Sequence, residues 1–273
     1  MNTVITQDKT ELYVKDWGAG QPVILMHGWP LTSDTWDDQA ISLAQSGFRT
    51  IAYDRRGFGR SSQPWSGYDY DTFADDLAAV ISQTGAQNAI LVGFSMGGGE
   101  VARYLSRHGG NSIAKAVLIS SVVPFMLKTQ DNPGGIDQSA FDQMAQALQQ
   151  DRAKFFTGFF KDFFGVGLVS RPVSDEVLTW THTMAMQASL RATLESAKAF
   201  AGTDFRVDLP SFTMPTLIIH GTADKTVPFD NSGRAAANAI ARSTLIAYDG
   251  APHGLFATDK DRLTKDLLDF LRA

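Results

Sequence analysis

Three side chains in this sequence have the identity and setting for nucleophilic acyl chemistry: a serine, a histidine and an aspartate. The serine is Ser95, in the run Gly93-Phe94-Ser95-Met96-Gly97. That run closes an apolar, strand-like stretch, "NAILVGF" (88–94), and opens a helix-like one, "MGGGEVARYLSRH" (96–108). A G-x-S-x-G match carries weight only in such a strand-to-helix setting. Ser95 is then expected on a sharp, strained turn that lifts its hydroxyl above the strand ends. Side chains at 93 and 97 would collide across the turn, so glycine suits both. The helix N-terminus behind Ser95 favours developing negative charge.

A serine hydroxyl is a poor nucleophile at neutral pH and needs a base. The histidines are His27, His108, His182, His220 and His253. His27 and His220 end strand-like runs ahead of glycines and read as structural. His108 closes a helix-like segment, and His182 sits within another. His253, in "DGAPHGLF", lies in a glycine/proline loop after the last strand-like run. Loops at the C-terminal ends of strands converge on the nucleophile, so His253 is the expected base. Asp224, in "IIHGTADKTVP", follows the preceding strand-like run and would hold the imidazole in the right tautomer. Asp249 is the rival acid, but it ends the very run that leads to His253.

Acyl transfer also needs two donors aimed where negative charge develops. The N–H of Met96, just after the nucleophile, is one. The second is expected from the loop His27-Gly28-Trp29-Pro30. Pro30 has no N–H, which leaves Trp29. The competing view makes this a structural turn with Trp29 as a packing anchor. Pro30 also pushes Trp29 toward extended backbone. Whether the Trp29–Pro30 bond is cis is open from sequence.

These groups must be placed by a scaffold. Strand-like runs fall at 12–17, 22–27, 49–54, 88–94, 113–121, 215–221 and 243–250, several of them apolar almost throughout. Such runs suit central parallel strands covered on both faces. Helix-like segments fall near 34–45, 71–84, 96–108, 231–241 and 259–272. The alternation predicts an α/β fold, a mostly parallel twisted sheet flanked by helices. Residues 122–212 break the rhythm with helical segments alone: "SAFDQMAQALQQ", "RAKFFTGFFKDFF", "SDEVLTWTHTMAMQ" and "LRATLESAKAFA". The expected organisation is a core of 1–121 and 213–273 with a helical cap, 122–212, over the C-terminal edge of the sheet. Open α/β sheets bind ligands at that edge.

The 273 residues are 44% hydrophobic and 19% charged, as in globular chains. The net charge of −5 and the absence of like-charge blocks argue against nucleic acid or an anionic membrane as partner. No cysteine is present, which removes disulfides, thiolate metal sites and a cysteine nucleophile. The N-terminal "MNTVITQDKTELYV" has neither a basic nor an apolar signal region, so a cytoplasmic location is expected.

Together "HGWP", "AYDRRGFGRSSQPWSGYDYDTFADDL", "LVGFSMGGGEVARYLSRHG", "PTLIIHGTADKTVPF" and "APHG" resemble the cofactor-free bacterial haloperoxidases and aryl esterases of the α/β-hydrolase superfamily. The resemblance spans nearly the whole chain and is weakest in the cap. It implies hydrolysis of small or aryl carboxylic esters through an acyl-serine, with Ser95, Asp224 and His253 in chain order. It also implies perhydrolysis, in which hydrogen peroxide replaces water and the released peracid oxidises halide. Neither cofactor nor metal is implied, and such proteins are often oligomeric, so a homo-oligomer is an expectation. An amide- or lactone-selective hydrolase and a non-catalytic small-ligand receptor share the same residues. Dehalogenases and epoxide hydrolases need a carboxylate where Ser95 stands.

Two stretches invite misreading. "RRGFGRSS" (55–62) lacks the third glycine of a dinucleotide fingerprint and the Lys-Ser/Thr of a phosphate loop. It is expected to be a turn packed near the site. "FFTGFFKDFF" (155–164) is too short to span a bilayer. Some of its rings should pack on the core and others line a pocket. Phe159 and, just after the run ending at Ser121, Phe125 are the expected pocket walls.

Overall fold

A computed structural model describes residues 3–273. The strands are β1 (Thr3–Ile5), β2 (Glu11–Gly18), β3 (Gln21–Met26), β4 (Phe48–Tyr53), β5 (Ala89–Phe94), β6 (Ile113–Ile119), β7 (Thr216–Gly221) and β8 (Ser243–Tyr248). They form one sheet in the order β1-β2-β4-β3-β5-β6-β7-β8. The first two pairings, β1 with β2 and β2 with β4, are antiparallel; the remaining pairings are parallel. Every residue of β5 and β7 is buried, which explains why these strands read as unbroken apolar runs. Burying each Val, Leu or Ile there contributes about 1.5–3 kcal/mol.

The helices are α1 (Asp37–Gln45), α2 (Tyr70–Thr84), α3 (Met96–His108), α4 (Gln138–Phe163), α5 (Asp175–Gln187), α6 (Leu190–Gly202), α7 (Ala235–Ala239), α8 (Leu255–Thr258) and α9 (Lys260–Arg272). Of these, α2 packs on α3 and α1 on α9, alongside the sheet. The start of α2 lies earlier than the apolar spacing suggested. Asp69 caps it by accepting from Thr72 N at 2.9 Å, and Gly85 ends it in the left-handed region at φ 63°. In α9, Leu263, Leu267 and Leu271 are buried at helical spacing.

Between β6 and β7 the chain runs through α4, α5 and α6, with α4 packed on both others. The two helical segments expected at 139–150 and 152–164 are continuous except at Asp151, whose φ of −158° and ψ of 86° break the helix. Its carboxylate accepts from Lys154 N at 2.9 Å and so caps the second half. Strand β1 was not anticipated. With three residues on the sheet edge, it is too short to show an alternating pattern.

Candidate active site

Trp29, Ser95 with Met96, Asp224 and His253 follow the C-terminal ends of four strands, β3, β5, β7 and β8 respectively. Ser95 follows β5 with φ 55° and ψ −118°, the strained turn expected of it. For a non-glycine residue this geometry costs about 1–3 kcal/mol. The surroundings hold it there. Ser95 N donates to Ile119 O at 2.8 Å, and a Cβ on Gly93 would stand 2.4 Å from Gly97 O. On Gly97 a Cβ would stand 2.6 Å from Met26 O, so β3 and α3 approach backbone to backbone.

His253 Nε2 lies 3.0 Å from Ser95 Oγ, and His253 Nδ1 lies 2.6 Å from Asp224 Oδ2. Because Asp224 is an acceptor, Nδ1 carries the proton and Nε2 is left to accept from the serine. The other carboxylate oxygen of Asp224 takes the backbone N–H groups of Thr226 and Val227, each at 2.8 Å. Burial alone would push the Asp224 carboxyl up. The His253 charge and hydrogen bonds from His220 and His253 outweigh it and hold the carboxyl well below the usual carboxylate range. The rival Asp249 is exposed and pairs with Thr222, away from His253.

The imidazole of His253 is held by aromatic rings. Phe94 stands at 5.0 Å between centroids and Phe163, from the cap helix α4, at 4.8 Å. Gly254 N donates to Phe163 O at 2.9 Å, so the histidine loop is docked on the cap by backbone as well. Phe163 escaped the sequence reading. The signal was its place in the phenylalanine run, but the phase of α4 against His253 was not visible.

Trp29 and Met96 are both buried, and neither backbone N–H has a hydrogen-bond acceptor among the described residues. The Trp29–Pro30 bond is cis. Gly28 lies against the nucleophile turn, where a Cβ would stand 2.8 Å from the Phe94 ring and 3.0 Å from Ser95 Cβ. The Trp29 indole donates to Thr193 O at 2.9 Å and meets Phe156, Phe159 and Phe200 edge to face. The strand end is thereby tied to α4 and α6.

A cavity of about 270 Å³ opens on Ser95, with Trp29, Val122, Met126, Phe141, Phe159 and Phe200 in its walls. Phe159, an expected pocket wall, lines this cavity. Phe125 is not among the lining residues: it is buried with the Arg206 guanidinium 5.1 Å from its ring centroid. Val122 and Met126, from the same segment after β6, line the cavity instead. The cavity is apolar around the serine, while the exposed Asp162 and Lys225 bring charge to its lining.

The remaining histidines have other partners. His27 Nε2 accepts from Arg55 N at 3.0 Å. Burial, then the Arg55 charge, push His27 down to about 3, so it stays neutral. His108 pairs with Asp75, and His182 contacts Ala153 O. His220 lies 3.2 Å from Asp224 Oδ2, nearer the site than its strand-end position suggested. "RRGFGRSS" forms a turn in which Arg55 pairs with Glu100 at 2.5 Å and Arg60 with Asp54 at 2.7 Å. Among the described residues no cluster of three His, Asp or Glu is arranged as metal ligands, and no helix is long and apolar enough to cross a membrane.

The family model described as "alpha/beta hydrolase fold" matches residues 21–260. The chain belongs to this family. It is a hydrolase. Its relatives include a bifunctional esterase/perhydrolase of Acinetobacter calcoaceticus, 44% identical over 100% of both chains. A non-heme haloperoxidase of Rhodococcus erythropolis is 42% identical, again over 100% of both. Among solved structures, a bromoperoxidase from Bacillus anthracis superposes with a TM-score of 0.95 at 45% identity, covering 99% of each chain. The hydrolase thus falls within the non-heme haloperoxidase and esterase/perhydrolase branch, as the sequence resemblance implied.

Proposed function

We infer that this hydrolase cleaves small or aryl carboxylic esters through an acyl-enzyme on Ser95. The observation that carries this is the relay from Ser95 Oγ to His253 Nε2, 3.0 Å, and from His253 Nδ1 to Asp224, 2.6 Å, at the wall of an apolar cavity. His253 takes the serine proton as Oγ attacks the ester carbonyl. The N–H groups of Trp29 and Met96 receive the oxyanion. His253 returns the proton to the leaving alcohol, then activates water, which releases the acid and restores Ser95. The test is turnover of p-nitrophenyl acetate by the wild type and by Ser95→Ala. A loss of about 10⁴-fold or more in kcat is expected, and unchanged turnover would overturn the mechanism.

Perhydrolysis is the second activity. Trp29 lines the cavity, and its carbonyl accepts no hydrogen bond among the described residues. Pro30 offers no N–H to compete for the site. Peroxide accepted there gives one proton to His253 and attacks the acyl carbonyl, so that peracid leaves and the Ser95 hydroxyl is restored. The names of the Acinetobacter and Rhodococcus relatives point the same way. Pro30→Leu should lower the ratio of perhydrolysis to hydrolysis about threefold, measured with and without peroxide. An unchanged ratio would leave Pro30 a structural role alone.

A further inference from the structure

His220 is the last residue but one of β7, is fully buried and takes no part in the steps above. Its Nε2 lies 2.9 Å from Val227 O and 3.2 Å from Asp224 Oδ2. Both neighbours are acceptors, so Nε2 must carry a proton. Its Nδ1 has no hydrogen-bond partner. A proton there as well would leave a buried N–H unpaired on a charged ring, so the neutral Nε2–H tautomer is the one this site holds. Val227 O takes the shorter branch of that hydrogen and Asp224 Oδ2 the longer.

The slot around this ring is tight. Residues Asp230–Arg234 wind as a π-helical turn, a rare form that recurs at functional sites. The turn sets Gly233 against the imidazole, where a Cβ would stand 2.7 Å from Nδ1. Phe229 packs on the ring at 5.7 Å between centroids. A hydrocarbon ring in this slot would leave no nitrogen orphaned. What imidazole supplies that a hydrocarbon does not is the Nε2–H.

The structure assigns His220 as a positioning residue for the Asp224 carboxylate. Asp224 Oδ2 is approached by two imidazoles, His253 at 2.6 Å and His220 at 3.2 Å. Through Val227 O, His220 also anchors the residue whose N–H holds Asp224 Oδ1 at 2.8 Å. One N–H therefore fixes the carboxylate and the loop that grips it. It also draws on the Oδ2 charge that would otherwise act on His253 alone. The titratable group in contact with His220 is Asp224, whose Oδ2 it shares with His253. Arg234, on the π-helical turn, stacks on Phe229 and pairs with Asp230, and Lys225 beside Asp224 is exposed. His220 has this role only if Asp224 and His253 serve Ser95 as inferred above.

The decisive pair is His220→Gln and His220→Asn. A glutamine amide nitrogen reaches the place of Nε2, whereas an asparagine amide ends near Nδ1. Each is assayed with p-nitrophenyl acetate for kcat, KM and the pH profile of kcat/KM. His220→Gln should hold kcat within about threefold and keep the acid limb in place, because the donor is restored. His220→Asn should lose about tenfold in kcat at unchanged KM. Its acid limb should move up by about half a pH unit, because His253 then faces the undivided Oδ2 charge. Equal losses in both variants with an unmoved acid limb would overturn the assignment and leave His220 a packing role. Should the Asn protein fail to fold, a displaced acid limb in the Gln variant would overturn it just as well. Ser95→Ala separates the two ideas. Full turnover there defeats the serine mechanism itself, while a dead Ser95→Ala beside indistinguishable Gln and Asn variants defeats only the role of His220.

Discussion

The rim of the sheet and the helical cap meet at one cavity but are built on opposite plans. At the rim, short turns after β3, β5, β7 and β8 hold every polar group in place: Ser95 by a strained backbone, Asp224 by two backbone N–H groups, His253 by Asp224. Glycines at 93 and 97 remove any slack. The cap brings one charged side chain to the cavity lining, the exposed Asp162, and is otherwise apolar there. It contributes the rings of Phe141, Phe159 and Phe200 and the Met144 thioether from α4 and α6, with α4 broken at Asp151. Polar groups whose geometry tolerates small errors in distance poorly stand on the strand ends, and apolar lining, which tolerates more, on the interrupted helix.

That contrast is open to attack at several points. The largest effect is expected at the rim, where Asp224→Asn should cut kcat about 10³- to 10⁴-fold with KM little changed, because the amide favours the wrong imidazole tautomer. A loss below tenfold would mean that the cap, and not Asp224, orients His253. Next comes the cap wall. Phe141 and Met144 line both the Ser95 cavity and a neighbouring groove of about 710 Å³ between α4 and α6. These two side chains are common to both linings. Phe141→Ala should therefore raise kcat/KM for p-nitrophenyl octanoate relative to the acetate about tenfold, with the acetate rate nearly unchanged. An unaltered chain-length profile would show that Phe141 does not limit the acyl group.

The smallest expected effect tests where the two plans touch. Phe163 belongs to the cap yet packs on His253 at 4.8 Å. Phe163→Leu should lower kcat about threefold and cost about 1 kcal/mol in stability by denaturant titration. A wild-type kcat would mean that Asp224 and Phe94 hold the imidazole unaided. A loss as large as that of Asp224→Asn would erase the distinction between rim and cap.

The same contrast governs what the sequence could reveal. The meeting of Ser95, Asp224 and His253 at one edge was legible because each follows an apolar run, and the end of a parallel strand fixes on which edge its loop emerges. The segments between β6 and β7 were legible as helices, with 139–150 and 152–164 read as two separate ones, but the near-continuity of α4 through Asp151 was not. Which faces they turn inward was not, since that depends on packing angles. Phe159 and Phe125 looked alike in sequence, yet one lines the cavity and the other lies under Arg206. His220 was hidden for a different reason. A strand-end histidine ahead of glycine reads as structural, and its 3.2 Å approach to Asp224 arises only when the loop after β7 folds back. The short edge strand β1 carried too little pattern to be seen at all.

The acyl-enzyme is the centre of this account and can be weighed directly. Wild-type protein mixed with excess p-nitrophenyl acetate, acid-quenched within the first turnover and examined by intact mass and peptide mapping, should carry a single acetyl group on Ser95. The Ser95→Ala protein treated identically should carry none. Turnover in the wild type with no adduct, or with an adduct on another residue that persists in Ser95→Ala, would contradict a serine mechanism for this enzyme.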